Sequence, residues 1–116
     1  MPTGPAVYSL WAKLGGDRWT CYYVGQAEYL ETRLREHLAG NESNACRRNY
    51  NAIHASGYVY AEVVNQSERK GIEKFLYDRL RPECNDVDPG GSPIEVNLPL
   101  REESGAEGLG RIRQAA

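Results

Sequence analysis

The chain has 116 residues, 41% hydrophobic and 26% charged, which predicts one small globular domain and excludes a disordered or low-complexity chain. No apolar run approaches the ~18 residues of a membrane span, and the N-terminus MPTGPAVYSLWAKL lacks a secretory pattern, so a cytoplasmic protein without a membrane segment is expected. The net charge of −2 is divided unevenly: residues 1–85 hold 11 Lys/Arg against 10 Asp/Glu, residues 86–116 hold 3 against 6, so a near-neutral body precedes an acidic tail.

Val7-Tyr8-Ser9-Leu10-Trp11 is a run of β-formers, Gly15-Gly16-Asp17 a turn signal, and Trp19-Thr20-Cys21-Tyr22-Tyr23-Val24 a returning strand. Together they predict a hairpin. Strict alternation would point Tyr22 and Tyr23 to opposite faces, one into the core and one toward a cleft. Trp11 and Trp19 are expected to pack within the hairpin.

A helix follows over about residues 28–38, with Leu30, Leu34 and Leu38 as its apolar stripe and Gly40 as its stop. At about 100° per residue, Arg33 falls roughly 60° and His37 roughly 20° to one side of Leu30, at the border of the buried face. Residues 41–44 read as a loop and residues 45–56 as a second helix closed by Gly57. Tyr58 to Val64 is a third strand, and a third helix capped by Ser67 runs to Leu80, before Pro82. Ile72, Phe75, Leu76, Arg79 and Leu80 mark its inward side, with Glu73 at the border.

Beyond residue 86 the composition shifts. Residues 86–93 read as a linker, residues 94–98 as a possible short strand, and the rest as a frayed acidic tail. Cys21, Cys46 and Cys84 are widely spaced and odd in number, which predicts three reduced thiols and no zinc site. The expected architecture is α+β: a small, mainly antiparallel three-stranded sheet flanked by helices in the order β-β-α-α-β-α, with a domain over residues 1–86 and a tail over 87–116.

Ala6-Val7-Tyr8 and Tyr23-Val24-Gly25 resemble degenerate forms of the two motifs that name the GIY-YIG nuclease superfamily. Arg33 and His37 follow Tyr23 by ten and fourteen residues, Glu73 lies in the last core helix, and Arg81-Pro82-Glu83-Cys84-Asn85 is similar to the family's "KPxYN" ending. The resemblance covers about residues 5–86. It implies a divalent-metal-dependent endonuclease acting on DNA, with Mg²⁺ or Mn²⁺ as its only cofactor. Glu73 would be the single protein ligand of the metal, Arg33 would stabilise the phosphate, and Tyr8 would be the leading general base. Tyr23 and His37 would hold or activate water and phosphate, while Gly25, Gln26 and Asn85 would support the site. Gln26 stands where some members carry a lysine, so it supplies no positive charge to favour a tyrosinate.

The chemistry is consistent with these residue types. A phosphodiester gains negative charge in its transition state, which a hard cation and a guanidinium fork can stabilise. A single carboxylate suits Mg²⁺, which keeps most of its waters. A tyrosine base, with an ordinary pKa of about 10, needs nearby positive charge. Arg47 and Arg48, with Tyr50, could track a DNA backbone or simply form a solvated helix face. The alternative reading is a non-catalytic nucleic-acid- or protein-binding module of the same fold. Cutting both strands with one site would need a dimer or two successive nicks.

Overall fold

The computed structural model describes residues 4–16, 18–38, 42, 44–85 and 88–95, and the backbone of 113–114. The β-formers at the N-terminus build β1 (Ala6–Lys13), whose first seven residues are all buried. That pattern marks a central strand covered on both faces. β2 (Trp19–Ala27) and β3 (Ala55–Glu62) pair with it antiparallel on either side. Gly16, at φ 64°, takes the left-handed conformation in the β1–β2 turn, where a side chain would be strained. The two-residue β4 (Arg113–Gln114) pairs with β3 at Gly57 and Tyr58, giving the sheet order β2-β1-β3-β4.

Three helices complete the expected β-β-α-α-β-α order: α1 (Leu30–Leu38), α2 (Ala45–Ile53) and α3 (Gln66–Leu80). Alternate residues of β1 face opposite sides of the sheet, and two cores result. One gathers Tyr8, Leu10, Tyr22, Leu30 and Leu34, with Cys46 and Tyr50 of α2 against it. The other gathers Val7, Trp11, Trp19, Cys21, Val24 and Leu76, with Ile72, Phe75 and Leu80 of α3 against it. Both tryptophans therefore pack in the hairpin, as expected. Arg79, read as inward, is exposed on the last turn of α3.

Several boundaries differ from the sequence reading. α2 ends at Ile53 and His54 is already extended, so Ala55 and Ser56 join β3 and Gly57 pairs with Trp11 rather than closing a helix. Pairing along the whole of β1, as far as Lys13 with Ala55, outweighs the local helix preference there. Asn65, not Ser67, caps α3, accepting a hydrogen bond from the Glu68 amide at 3.0 Å. Arg81, at φ 49°, terminates α3 before Pro82.

Alternation also fails in β2. Leu10 pairs with Tyr23 but Trp11 pairs with Cys21, leaving Tyr22 as an extra, bulged residue. Tyr22 and Tyr23 consequently pack against the same core instead of pointing apart.

The edge of β2 is covered by the chain after α3. The Cys84 amide donates to the Tyr22 carbonyl at 2.8 Å, and the Asn85 side chain bonds both the amide and the carbonyl of Val24, at 2.9 and 2.8 Å. Cys46 and Cys84 are joined in a disulfide, and Cys21 is a buried thiol. This corrects the expectation of three reduced cysteines: the fold brings together two residues 38 apart in sequence, which spacing alone does not reveal.

The segment after residue 86 does not behave as a plain linker. Lys74 holds Asp88 at 2.7 Å, and the Ile94 amide donates to the Gly71 carbonyl at 2.9 Å. Gly71 permits this crossing, because a Cβ there would lie 2.6 Å from Ile94 Cγ1. With its amide turned to a helix carbonyl, residue 94 is not in a strand, nor is residue 95; the rest of the 94–98 expectation, like Asp17, Gly40, residues 41 and 43 and most of the tail, lies outside the described residues. No helix among the described residues is long and apolar enough to cross a membrane.

Candidate active site

The β1–β2 register sets Tyr8 opposite Gly25. A Cβ on Gly25 would stand 2.8 Å from both the Tyr8 hydroxyl and Tyr23 Cε2. The glycine thus lets two tyrosine rings close over one backbone position, with centroids 6.0 Å apart. α1 delivers His37 to the same place, its ring centroid 5.6 Å from Tyr8 and 5.1 Å from Tyr23. Tyr8 Oη and His37 Nε2 are hydrogen-bonded at 2.5 Å. Tyr8 and His37 are each 2% exposed, whereas Tyr23 is half-buried. His37 is therefore a core residue beside Leu34, not the border residue that helix geometry predicted.

Three charged groups surround this ring cluster. Arg47 of α2 lies over the Tyr23 ring, 4.4 Å from its centroid, and its Nε is 2.8 Å from Glu42 Oε1. Glu42 is itself buried, and its Oε2 lies 3.4 Å from His37 Nδ1. That distance suits an ion pair, but Nδ1 has no hydrogen-bond partner. Arg33 is exposed and paired with Glu36 at 3.5 Å, and its charge acts on both Tyr8 and His37. Burial, followed by the neighbouring Tyr23, raises the Tyr8 phenol above its ordinary pKa, while Arg33 and Arg47 oppose the rise. Burial and Arg47 hold His37 below the ordinary histidine value, with Glu42 pulling the other way. Burial alone would raise Glu42, but the hydrogen bond and charge of Arg47 keep it below the ordinary carboxylate value.

The α3 side contributes Glu73. Gln26, the residue after Gly25, donates its amide to Glu73 Oε1 at 3.0 Å. The other end of the Gln26 amide accepts from Arg69 Nε at 3.2 Å, and Arg69, 4% exposed, also donates to the carbonyls of Val63 and Val64 at 3.0 and 2.7 Å. Arg69 and Gln26 together fix the orientation of Glu73. Burial raises the Glu73 pKa, partly offset by the Gln26 amide and the Lys70 charge. A divalent cation would favour the ionised form that burial disfavours. No group of three or more His, Cys, Asp or Glu gathers among the described residues. A single carboxylate could hold only a cation that keeps most of its waters.

Tyr8, Tyr23, Gly25 and His37 are brought into contact, Arg33 lies within electrostatic range, and Gln26 links Glu73 to the strand that carries Gly25. Asn85 secures that strand at Val24. Arg47 is only 15% exposed and faces the ring cluster, whereas Arg48 is exposed on α2. Sequence reasoning missed Glu42, Arg69 and Asn51. Asn51 accepts from the Tyr22 hydroxyl at 2.7 Å and from Ser56 at 3.1 Å, and donates to the His37 carbonyl, tying the end of α1 to the sheet. Nothing in the local sequence marks these three; a lone acid in a loop and polar residues on helices are ordinary surface composition.

A family model described as "GIY-YIG catalytic domain" matches residues 5–85. No curated protein and no solved structure gives a significant match to the chain.

Proposed function

The chain belongs to the GIY-YIG catalytic-domain family, a family of nucleases, and from that premise we propose that it is a divalent-metal-dependent endonuclease hydrolysing phosphodiester bonds in DNA. The observation that carries this reading is the convergence of Tyr8, Tyr23 and His37 over Gly25, with Glu73 tethered one residue further along β2. Tyr8 acts as the general base toward the attacking water. Tyr23, half-buried beside it, positions the water and the scissile phosphate. Arg33, exposed at the edge of the cluster, offers its planar fork to the phosphate oxygens. Glu73 would hold Mg²⁺ or Mn²⁺, which would supply charge stabilisation to the phosphate and leaving oxygens. Gln26 orients Glu73, and Asn85 braces β2. Arg48 contacts the DNA backbone, while Arg47 serves the interior of the site.

The test is incubation of the purified chain with supercoiled, linear, branched and single-stranded DNA in Mg²⁺, Mn²⁺ or EDTA. Metal-dependent cleavage of at least one form, abolished by EDTA, is expected. A protein that binds DNA but cuts none of these forms with either metal is instead a binding module of the same fold.

A further inference from the structure

Gln26 leaves the proposed base without an adjacent lysine, and the positive charges of Arg33 and Arg47 do not overcome the burial of Tyr8. The proton must have somewhere to go, and one acceptor is in place. His37 Nε2 is 2.5 Å from the Tyr8 hydroxyl, and on the far side of the same ring Nδ1 faces Glu42 Oε2 at 3.4 Å. Both Glu42 and His37 are sealed from solvent, at 5% and 2% exposure. Nδ1 is a buried polar atom with no hydrogen bond, and the carboxylate is the group it faces. A buried imidazole nitrogen opposite a carboxylate takes the proton, leaving the other nitrogen as acceptor.

We propose that Glu42 is a positioning residue for cleavage: it holds His37 as the Nδ1–H tautomer, so that Nε2 receives the Tyr8 proton. The inference rests on the reading of Tyr8 as the base. The Tyr8 O–H proton passes to His37 Nε2 in concert with transfer of a proton from the attacking water to the Tyr8 oxygen, so that no free phenolate forms. The hydroxide oxygen bonds phosphorus as the bond from phosphorus to the leaving sugar oxygen breaks. That oxygen takes a proton from solvent water, and on product release His37 returns its proton to Tyr8 as the Tyr8 hydroxyl passes its own to water entering the site. Glu42 stays ionised throughout, balancing the imidazolium, much as the buried carboxylate of a serine-protease triad does. Arg47 holds the other carboxylate oxygen and so fixes the direction in which Glu42 points.

The charged and titratable groups facing His37 are Tyr8 from β1, Tyr23 from β2, Arg33 from its own helix, Glu42 from the segment before α2, and Arg47 from α2. Glu42 and Arg47 act on the ring with opposite signs, and this separates a positioning role from a structural one. The chain has only two histidines, so the His37 ring nitrogens are readily assigned by NMR on the full protein. The wild type should show the Nδ1–H tautomer at neutral pH. Glu42→Gln should move the His37 titration to lower pH, and Arg47→Gln should move it to higher pH. Glu42→Gln should also slow single-turnover cleavage by roughly 10-fold or more, since even the outer carboxylate partner of a metal-bound histidine costs about 10- to 100-fold when lost, with Glu42→Asp restoring part of the rate. The Nε2–H tautomer in the wild type, or shifts of the same sign in both variants, would overturn the assignment. Should Glu42→Gln fail to fold, the wild-type tautomer and the Arg47→Gln shift decide alone. If Tyr8→Phe and His37→Ala cut at the wild-type rate, the base reading itself is wrong. If both are impaired while Glu42→Gln cuts normally with an unchanged pH profile, only the role of Glu42 falls.

Discussion

On the face of the sheet covered by α1 and α2, the site is made of rings and paired charges packed into the core: Tyr8, His37 and Glu42 are all nearly inaccessible to solvent. On the α3 side it consists of one half-buried carboxylate, Glu73, held by an amide that is held in turn by a buried arginine. The two constructions suit different tasks. Proton transfer between weak acids and bases needs short, fixed distances and a low local dielectric. A hydrated cation needs an accessible carboxylate and room for water. The tyrosine pair and Glu73 therefore occupy different kinds of environment on the same small sheet. Substitutions in the buried cluster of the first face should disturb rate and stability together, except where only a hydroxyl is removed. Substitutions on the second should affect rate alone.

The sharpest test on the ring side removes one oxygen. Tyr8→Phe keeps the ring and its packing, and should lower the single-turnover rate by roughly 10²–10⁴, the usual share of a general base. Tyr23→Phe should lose less if, as proposed, Tyr23 positions water rather than accepting a proton. The reverse order from pH 6 to 9.5 would exchange the two roles; normal cutting by both would leave His37 as the base. Arg33 sits at the rim and pairs with the exposed Glu36 at 3.5 Å. Arg33→Ala should cost about 10²–10³ in rate, as expected for one preorganised donor, with Arg33→Lys recovering part of it. Thermal melting of both variants should match the wild type, and a rate within threefold of wild type for Arg33→Ala would remove it from the site.

Gly25→Ala probes whether the rings need their close approach. Its Cβ would meet Tyr8 and Tyr23 at 2.8 Å, so overpacking should destabilise the fold by about 1–3 kcal/mol in denaturant unfolding as well as slow cleavage. Unchanged stability would mean that the cluster is looser than described. The smallest expected effect is a pH dependence. His37 is held below its ordinary pKa by burial and Arg47, so the unfolded chain binds the proton more readily than the folded one. The contribution of neutral His37 to stability is present above the ordinary value of about 6.5 and is lost as pH falls from there through the lowered folded value. Urea unfolding across that window should show stability falling on acidification, with a shallower slope in His37→Asn.

Much of this comparison is legible in the chain itself. The Leu30 and Leu34 spacing places α1 against the sheet, and the tyrosine, Arg33, His37 and Glu73 positions follow from the motif spacing. The depth of the site is not legible. An unpaired residue at Tyr22 turns two neighbouring tyrosines to one face, and no local sequence signal marks a bulge that arises from pairing with β1. His37 looks like a rim residue by helical angle because the buried arc of α1 is wider than its leucine stripe. The Cys46–Cys84 pairing and the reach of Glu42 to His37 depend on how α2 folds back over β2, which is tertiary information. β3 begins earlier than its β-formers suggest because the ladder with β1 extends it to Ala55.

The most direct test of the account is single-turnover cleavage of one labelled DNA substrate across a range of Mg²⁺ concentrations, for the wild type and for Glu73→Gln, with DNA binding measured in parallel. The wild-type rate should rise with Mg²⁺ and saturate. Glu73→Gln should bind DNA normally and fold at least as well at neutral pH, because burial makes the ionised carboxylate a burden there, yet its rate should be lower by about 10³ or more, the loss of several kcal/mol of charge stabilisation. A Glu73→Gln variant that cuts at more than a few per cent of the wild-type rate, with the same dependence on Mg²⁺, would contradict the account.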